Sequence, residues 1–323
     1  MRVPIEELIR NQPDEVLVSD GGLGTLLESR GINVSSPLWS TVPFLKDDFW
    51  DSETKTSDRN IIEGIYRDYI TSGSRILSTI TYQTSFALIS THTEVKTIEG
   101  YKQLIRNITS FCRSAIGEDN YLIGSIGPFG ARLGAEYTGN YGDSPSNINY
   151  LEYFKPQLEE FNNNDDIDII GFETVPNKYE LEAILSWDKS VISKPYYVSL
   201  SLLDNGGLRD GTSFEEIATI FKKYSNNDNL ILTGANCISF KYASENISKL
   251  HQAIPTLPLI VYPNSGEIYD PLTKKWTIDQ TFGLTWEDLI KELRTSNVRI
   301  VGGCCRTTPD DINKIKDMIT KVK

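Results

Sequence analysis

Eight short, nearly continuous apolar runs punctuate the chain, at residues 15–22, 75–82, 121–128, 168–176, 195–202, 230–238, 257–264 and 299–305. Unbroken apolar runs of this length mark parallel strands buried on both faces, whereas a half-exposed strand alternates. Between the runs the spacing changes to steps of three and four. Residues 60–70 put their apolar side chains on one helical face, and Ser213-Phe-Glu-Glu216 is a capping box opening another helix. Thr308-Pro309-Asp-Asp311 offers an N-cap, a proline at the first helical position and acids in the first turn. Strand and helix alternate eight times. This predicts an α/β fold, a (β/α)8 TIM barrel forming a single domain over residues 1–323, in preference to an open doubly wound sheet. The glycine-rich Asp20-Gly-Gly-Leu-Gly24 lacks the full dinucleotide fingerprint. Pattern breaks at 162–166, 204–211 and 225–228 read as surface loops. The segment 29–59 is longer than an ordinary connection and carries Trp39, Phe44, Phe49 and Trp50. It reads either as a cover over the barrel mouth or as a satellite hydrophobic cluster.

At 323 residues the chain is long enough to bury a large core. Its formal net charge of −12 argues against nucleic acid or an anionic membrane as partner. No apolar run reaches the length of a membrane span. Met1-Arg-Val-Pro-Ile-Glu-Glu-Leu8 has acids where a signal peptide would be apolar. With reduced cysteines, these features predict a cytoplasmic protein.

The cysteines change the picture. Only four occur, and Cys304 and Cys305 are neighbours in Gly302-Gly-Cys-Cys-Arg306. Successive residues of a regular strand point to opposite faces, so both sulfurs reach one ion only if the strand bends, and the two glycines permit that. Cys237 follows another strand-like run. Three thiolates at two strand ends make an open zinc site, with the fourth position left for a substrate. The alternative is that they are small buried hydrophobes. Cys112, on a helical apolar face, is read that way. Neither His92 nor His251 lies at a predicted strand end to complete a closed site.

Barrel enzymes carry their chemistry at the C-terminal ends of the strands. Those ends here read Asp20-Gly-Gly, Thr79-Ile-Thr-Tyr-Gln83, Gly127-Pro-Phe-Gly130, Glu173-Thr-Val-Pro176, Asn236-Cys237, Tyr262-Pro-Asn-Ser-Gly-Glu267 and Gly302-Gly-Cys-Cys305. In this order and combination they resemble the zinc-dependent homocysteine S-methyltransferases, over nearly the whole chain, and most closely the fungal members that use S-methylmethionine or S-adenosylmethionine.

The resemblance implies one Zn2+ per chain on Cys237, Cys304 and Cys305. It implies that Asp20 and Glu173 bind the amino acid, with backbone groups at Gly21 and near Thr79 on the substrate carboxylate. A familiar Thr-Asn-Thr pattern is Thr79-Ile80-Thr81 here, so Ile80 receives no polar contact. The implied partners are homocysteine and a sulfonium methyl donor, and the product is methionine. Tyr137, Tyr141 and Tyr262 are candidates to face the cationic donor through a ring. Competing readings are a betaine-dependent or redox barrel enzyme and a non-catalytic zinc-containing barrel that binds or senses an amino acid.

Overall fold

The computed structural model describes residues 2–51, 56–270, 275–278 and 283–321. Parts of the 1–323 domain reading and residues 52–55 of the long early segment therefore lie outside the described residues.

All eight apolar runs form strands of one parallel sheet. The strands are β1 (Leu17–Val18), β2 (Ile76–Ser78), β3 (Tyr121–Ile126), β4 (Ile169–Val175), β5 (Tyr196–Leu200), β6 (Leu230–Asn236), β7 (Leu259–Tyr262) and β10 (Val298–Val301). Between the last two lies an antiparallel hairpin, β8 (Glu267–Asp270) with β9 (Lys275–Ile278), which the hydrophobic pattern did not predict. The sheet runs β1-β10-β7-β6-β5-β4-β3-β2, and a single parallel bridge, Ser19 to Ile76, closes it into a barrel. Each barrel strand leads into helix, from Leu23–Ser29 after β1 to Pro309–Lys321 after β10. The fold is the (β/α)8 TIM barrel.

Two apolar layers follow from the strand period of two. Leu17, Ile76, Ile123, Ile169, Tyr197, Ile260 and Ile300 face inward, joined by Ile5, Leu8 and Ile9 of the first helix, Ile5–Asn11. That helix plugs one end of the barrel. Arg299 fastens it, donating to the carbonyls of Ile9 at 2.6 Å and Glu15 at 2.8 Å. The outward residues pack against the helices. Tyr196 belongs to this outer layer and its neighbour Tyr197 to the inner one.

The segment 29–59 divides in two. Phe44, Phe49 and Trp50 pack on one another, and Phe44 and Phe49 also meet Phe111 of the helix Ile98–Ile116, so they extend the outer core and do not form a separate satellite cluster. Trp39 instead lies edge-on to Tyr82, just past the end of β2, with ring centroids 6.2 Å apart.

Candidate metal centre and amino-acid site

The inward period continues past the apolar core and delivers the functional residues. On β4 it runs Ile169, Gly171, Glu173; beyond β10 it runs Ile300, Gly302, Cys304. The sulfurs of Cys237, Cys304 and Cys305 lie within 4.8 Å of one another, the only group of three metal-binding side chains among the described residues. Tetrahedral zinc with bonds near 2.3 Å would separate its sulfurs by about 3.8 Å, so the donor set fits such an ion in number, chemistry and spread.

The sulfurs of Cys237 and Cys304 lie in direct contact, across Cα atoms 5.4 Å apart. The fold brings the ends of β6 and β10 together, so two of the three converging sulfurs are close enough to bond. Metal binding requires them as separate thiolates. Cys305 carries a free thiol, pushed up to about 11 mainly by burial. A bound divalent cation would reverse that preference. Cys112 is fully buried and accepts from the Tyr66 hydroxyl at 3.2 Å, a packing role as read from the sequence.

Backbone conformation places the candidate ligands. Cys237 sits at φ 51° and Thr174, next to Glu173, at φ 59°, both in the left-handed region that side chains avoid. The Asn236 side chain joins these turns: its Oδ1 accepts from the Thr174 N–H at 2.8 Å, and its Nδ2 donates to the Thr174 hydroxyl at 2.7 Å. The sequence reading placed Asn236 at this strand end, beside a candidate ligand, but gave it no role. The loop of Cys304 and Cys305 is held through its main chain. The Cys304 N–H donates to the Pro263 carbonyl at 2.7 Å, and the Ser265 N–H to the Cys305 carbonyl at 3.1 Å.

The two acids stand at the same mouth. Glu173 is buried; its Oε2 accepts from Ser125 at 2.6 Å, and its Oε1 from Tyr262 at 3.0 Å and Tyr197 at 3.1 Å. Gly171 makes this possible: a Cβ there would occupy the space of the Tyr197 ring. Burial raises the Glu173 pKa despite those three donors. Asp20 accepts from the Ser78 N–H at 2.8 Å and from the Ser19 hydroxyl at 3.2 Å. Burial pushes its carboxyl up to about 7, and the charge of Glu173 adds to the shift. Two neighbouring buried acids, one raised by the charge of the other, make a natural receptor for one ammonium.

The other predicted residues are placed as follows. Gly21 packs under the Thr307 carbonyl and the Tyr69 ring, where no side chain fits. Thr79 is turned inward: its hydroxyl is 2.6 Å from that of Thr81 and accepts from the Ser125 N–H at 3.0 Å, and its own N–H goes to Ile123. Tyr262 is committed to Glu173. Tyr141 donates to Glu180 and accepts from the Gly130 N–H at 2.9 Å. Of the three phenols, that of Tyr137 lies in hydrogen-bond contact with the candidate ligand Cys305.

A family model for homocysteine S-methyltransferase matches residues 17–319, from the first barrel strand into the last helix. The chain belongs to the homocysteine S-methyltransferase family. Among relatives, homocysteine S-methyltransferase 1 of Saccharomyces cerevisiae is 51% identical over 322 residues, covering 99% of both chains. Homocysteine S-methyltransferase 2 of the same yeast is 47% identical with the same coverage. Among solved structures, the metallated form of the homocysteine methyltransferase MmuM from Escherichia coli superposes with a TM-score of 0.77 at 26% identity, covering 98% of this chain and 99% of that one. Family membership accords with the clustering of three cysteines and two buried acids on one barrel face. No helix among the described residues is long and apolar enough to cross a membrane.

Proposed function

We propose that this protein is a homocysteine S-methyltransferase, acting as one homocysteine-binding barrel domain over residues 1–323 in the cytoplasm. The observation that carries the reading is the convergence of Cys237, Cys304 and Cys305 beside two buried carboxylates, in a chain of this family. One zinc ion per chain, held by the three thiolates, supplies a Lewis acid that favours ionisation of the homocysteine thiol near neutral pH.

The protein's own groups supply position and environment. Asp20 and Glu173 take the amino-acid ammonium, and Tyr197, Tyr262 and Ser125 fix the Glu173 carboxylate from three sides. Backbone groups around Gly21 and Thr79 are assigned to the substrate carboxylate; the Thr79 side chain is excluded, because its hydroxyl already serves Thr81 and Ser125. The reaction joins the substrate sulfur to the donor methyl as the sulfonium–methyl bond breaks, leaving methionine and a neutral thioether. An anionic thiolate and a cationic sulfonium become two neutral products. Charge disperses on the way, so a dry, closed mouth favours the step, and alignment of sulfur with methyl supplies much of the rest. No base acts on carbon.

The donor is a sulfonium compound, with S-methylmethionine ranked ahead of S-adenosylmethionine. The test couples zinc analysis of the purified protein to methyl-transfer assays with both sulfonium donors and betaine at fixed homocysteine. Stoichiometric zinc and methionine formed from a sulfonium are expected. Preference for betaine rejects the sulfonium assignment, and homocysteine binding without turnover supports the sensor reading.

A further inference from the structure

The segment after β3 carries a carboxylate that none of these roles uses. Glu136 precedes Tyr137 at the barrel mouth. Its Oε2 is sealed from solvent and has no hydrogen-bond partner, and among the described residues Glu136 forms no ion pair. A buried carboxylate oxygen left without a donor calls for an explanation, and a ligand is a common one. The surroundings suit a cation. The charge of Glu136 acts on the phenols of Tyr82 and Tyr137 and on the Cys305 thiol, and the Trp39 ring lies against Tyr82. Other buried polar atoms without partners belong to the loops beside Cys305: Asn264 Oδ1, Ser265 Oγ and Thr307 Oγ1.

The segment is firmly held. Tyr141 donates to the buried Glu180, whose other oxygen accepts from the Phe129 N–H at 2.6 Å. The Gly139 carbonyl accepts from Asn177 at 3.0 Å, and the Ala135 N–H donates to Gly130 at 2.8 Å. Glu136 thus sits between two anchored points.

We propose that Glu136 binds the α-ammonium of the methyl donor, so that the site selects sulfonium compounds that are themselves amino acids. This rests on the methyl-transfer reading above. The reaction argues against the other cationic target, the sulfonium. Its charge vanishes as the methyl departs, so a carboxylate paired with it stabilises the reactants more than the transition state. An ammonium keeps its charge throughout, and holding it adds affinity and alignment at no cost to the step. Asp20 and Glu173 are assigned to the acceptor amino acid. A donor amino acid needs a second anionic contact, and Glu136 is the unpartnered acid near Cys305.

The test compares the zinc-loaded wild type with Glu136→Gln and Glu136→Asp, at saturating homocysteine. The donors are S-methylmethionine and trimethylsulfonium, which has no ammonium. The Gln variant should lose on the order of 10–100-fold in kcat/KM for S-methylmethionine, carried in KM, with little change for trimethylsulfonium. The Asp variant should recover part of the loss. Calorimetric affinity for S-methylmethionine without homocysteine should fall in step, while metal content and homocysteine affinity stay at the wild-type level. Equal losses on both donors, or a loss of homocysteine affinity instead, overturn the proposal. A wild type that takes methyl from no sulfonium overturns the methyl-transfer reading and Glu136 with it. A working wild type with an unchanged donor ratio in Glu136→Gln overturns the role of Glu136 alone.

Discussion

Tyr262 touches both halves of the site: its hydroxyl donates to Glu173 Oε1 at 3.0 Å, while its carbonyl accepts from the N–H of Cys237 at 3.2 Å. One residue therefore sets Glu173, proposed to bind the amino acid, and Cys237, proposed to bind the metal, relative to each other. Tyr262→Phe separates the two functions, because it removes only the phenol. The variant should keep its zinc and lose roughly 1.5–3 kcal/mol of homocysteine affinity, the usual worth of a hydrogen bond to a charged group. Metal analysis alongside calorimetry checks this. Loss of zinc instead would show that the hydroxyl, and not the backbone alone, keeps Cys237 in place.

The four cysteines should divide three to one. Cys237→Ala, Cys304→Ala and Cys305→Ala should each lose zinc and nearly all methyl transfer. Cys112→Ser should bind zinc normally, with a packing cost of about 1 kcal/mol, because its sulfur meets Tyr66 in the outer core. Emission spectroscopy of zinc in the four purified variants, with their melting curves, reads both quantities.

Asp20 should make fold and function respond to pH in opposite directions. Its carboxyl shifts from 3.8 to about 7 on folding, first through burial and then through Glu173. Between those values the folded protein holds one more proton than the unfolded chain, so this group's contribution to stability declines as pH rises through the window. Metal-free Asp20→Asn should melt above the wild type at pH 8, and the gap should close below a pH of about 4. The proposed role of Asp20 on the substrate ammonium needs the ionised form, so wild-type affinity should strengthen as pH rises through 7. Melting curves and calorimetry across this range test both trends; a gap independent of pH would contradict the raised Asp20 pKa.

Gly22 lies under the metal loop. A Cβ there would stand 2.5 Å from the Cys304 carbonyl oxygen and 3.0 Å from the Arg306 nitrogen, and neither backbone atom can rotate aside. The Gly22 φ of −70° suits any residue, so the constraint is space alone. Gly22→Ala should cost about 1–3 kcal/mol through overpacking and weaken zinc binding by displacing Cys304. Competition with a chromogenic chelator measures the second effect.

The barrel was legible because its strands are buried on both faces, which makes each an apolar run. The β8–β9 hairpin was not: its strands are four residues each and mix charged with apolar positions, so no period stands out. The site was legible where residue type alone carries the chemistry, as in Gly-Gly-Cys-Cys or Glu173. It was hidden where the role depends on which face a residue takes. Tyr196 and Tyr197 look alike in sequence, yet Tyr196 accepts from Asn227 on the outside while Tyr197 reaches Glu173 within. The meeting of Cys237 with Cys304, 67 residues apart, was legible only through the barrel reading, which brings their strand ends together.

The narrowest ladder of the barrel lies between its first two strands, where one bridge joins Ser19 to Ile76. The Asp20 carboxylate spans the same gap by accepting from the Ser78 N–H. A side chain assigned to substrate thus doubles as a rung of the wall. Breathing of the cylinder at this thin place would move the amino-acid receptor before it moved the cysteines, which stand on strands with fuller ladders. An occupied receptor would in turn draw the carboxylate toward its ligand and change the tension on the seam.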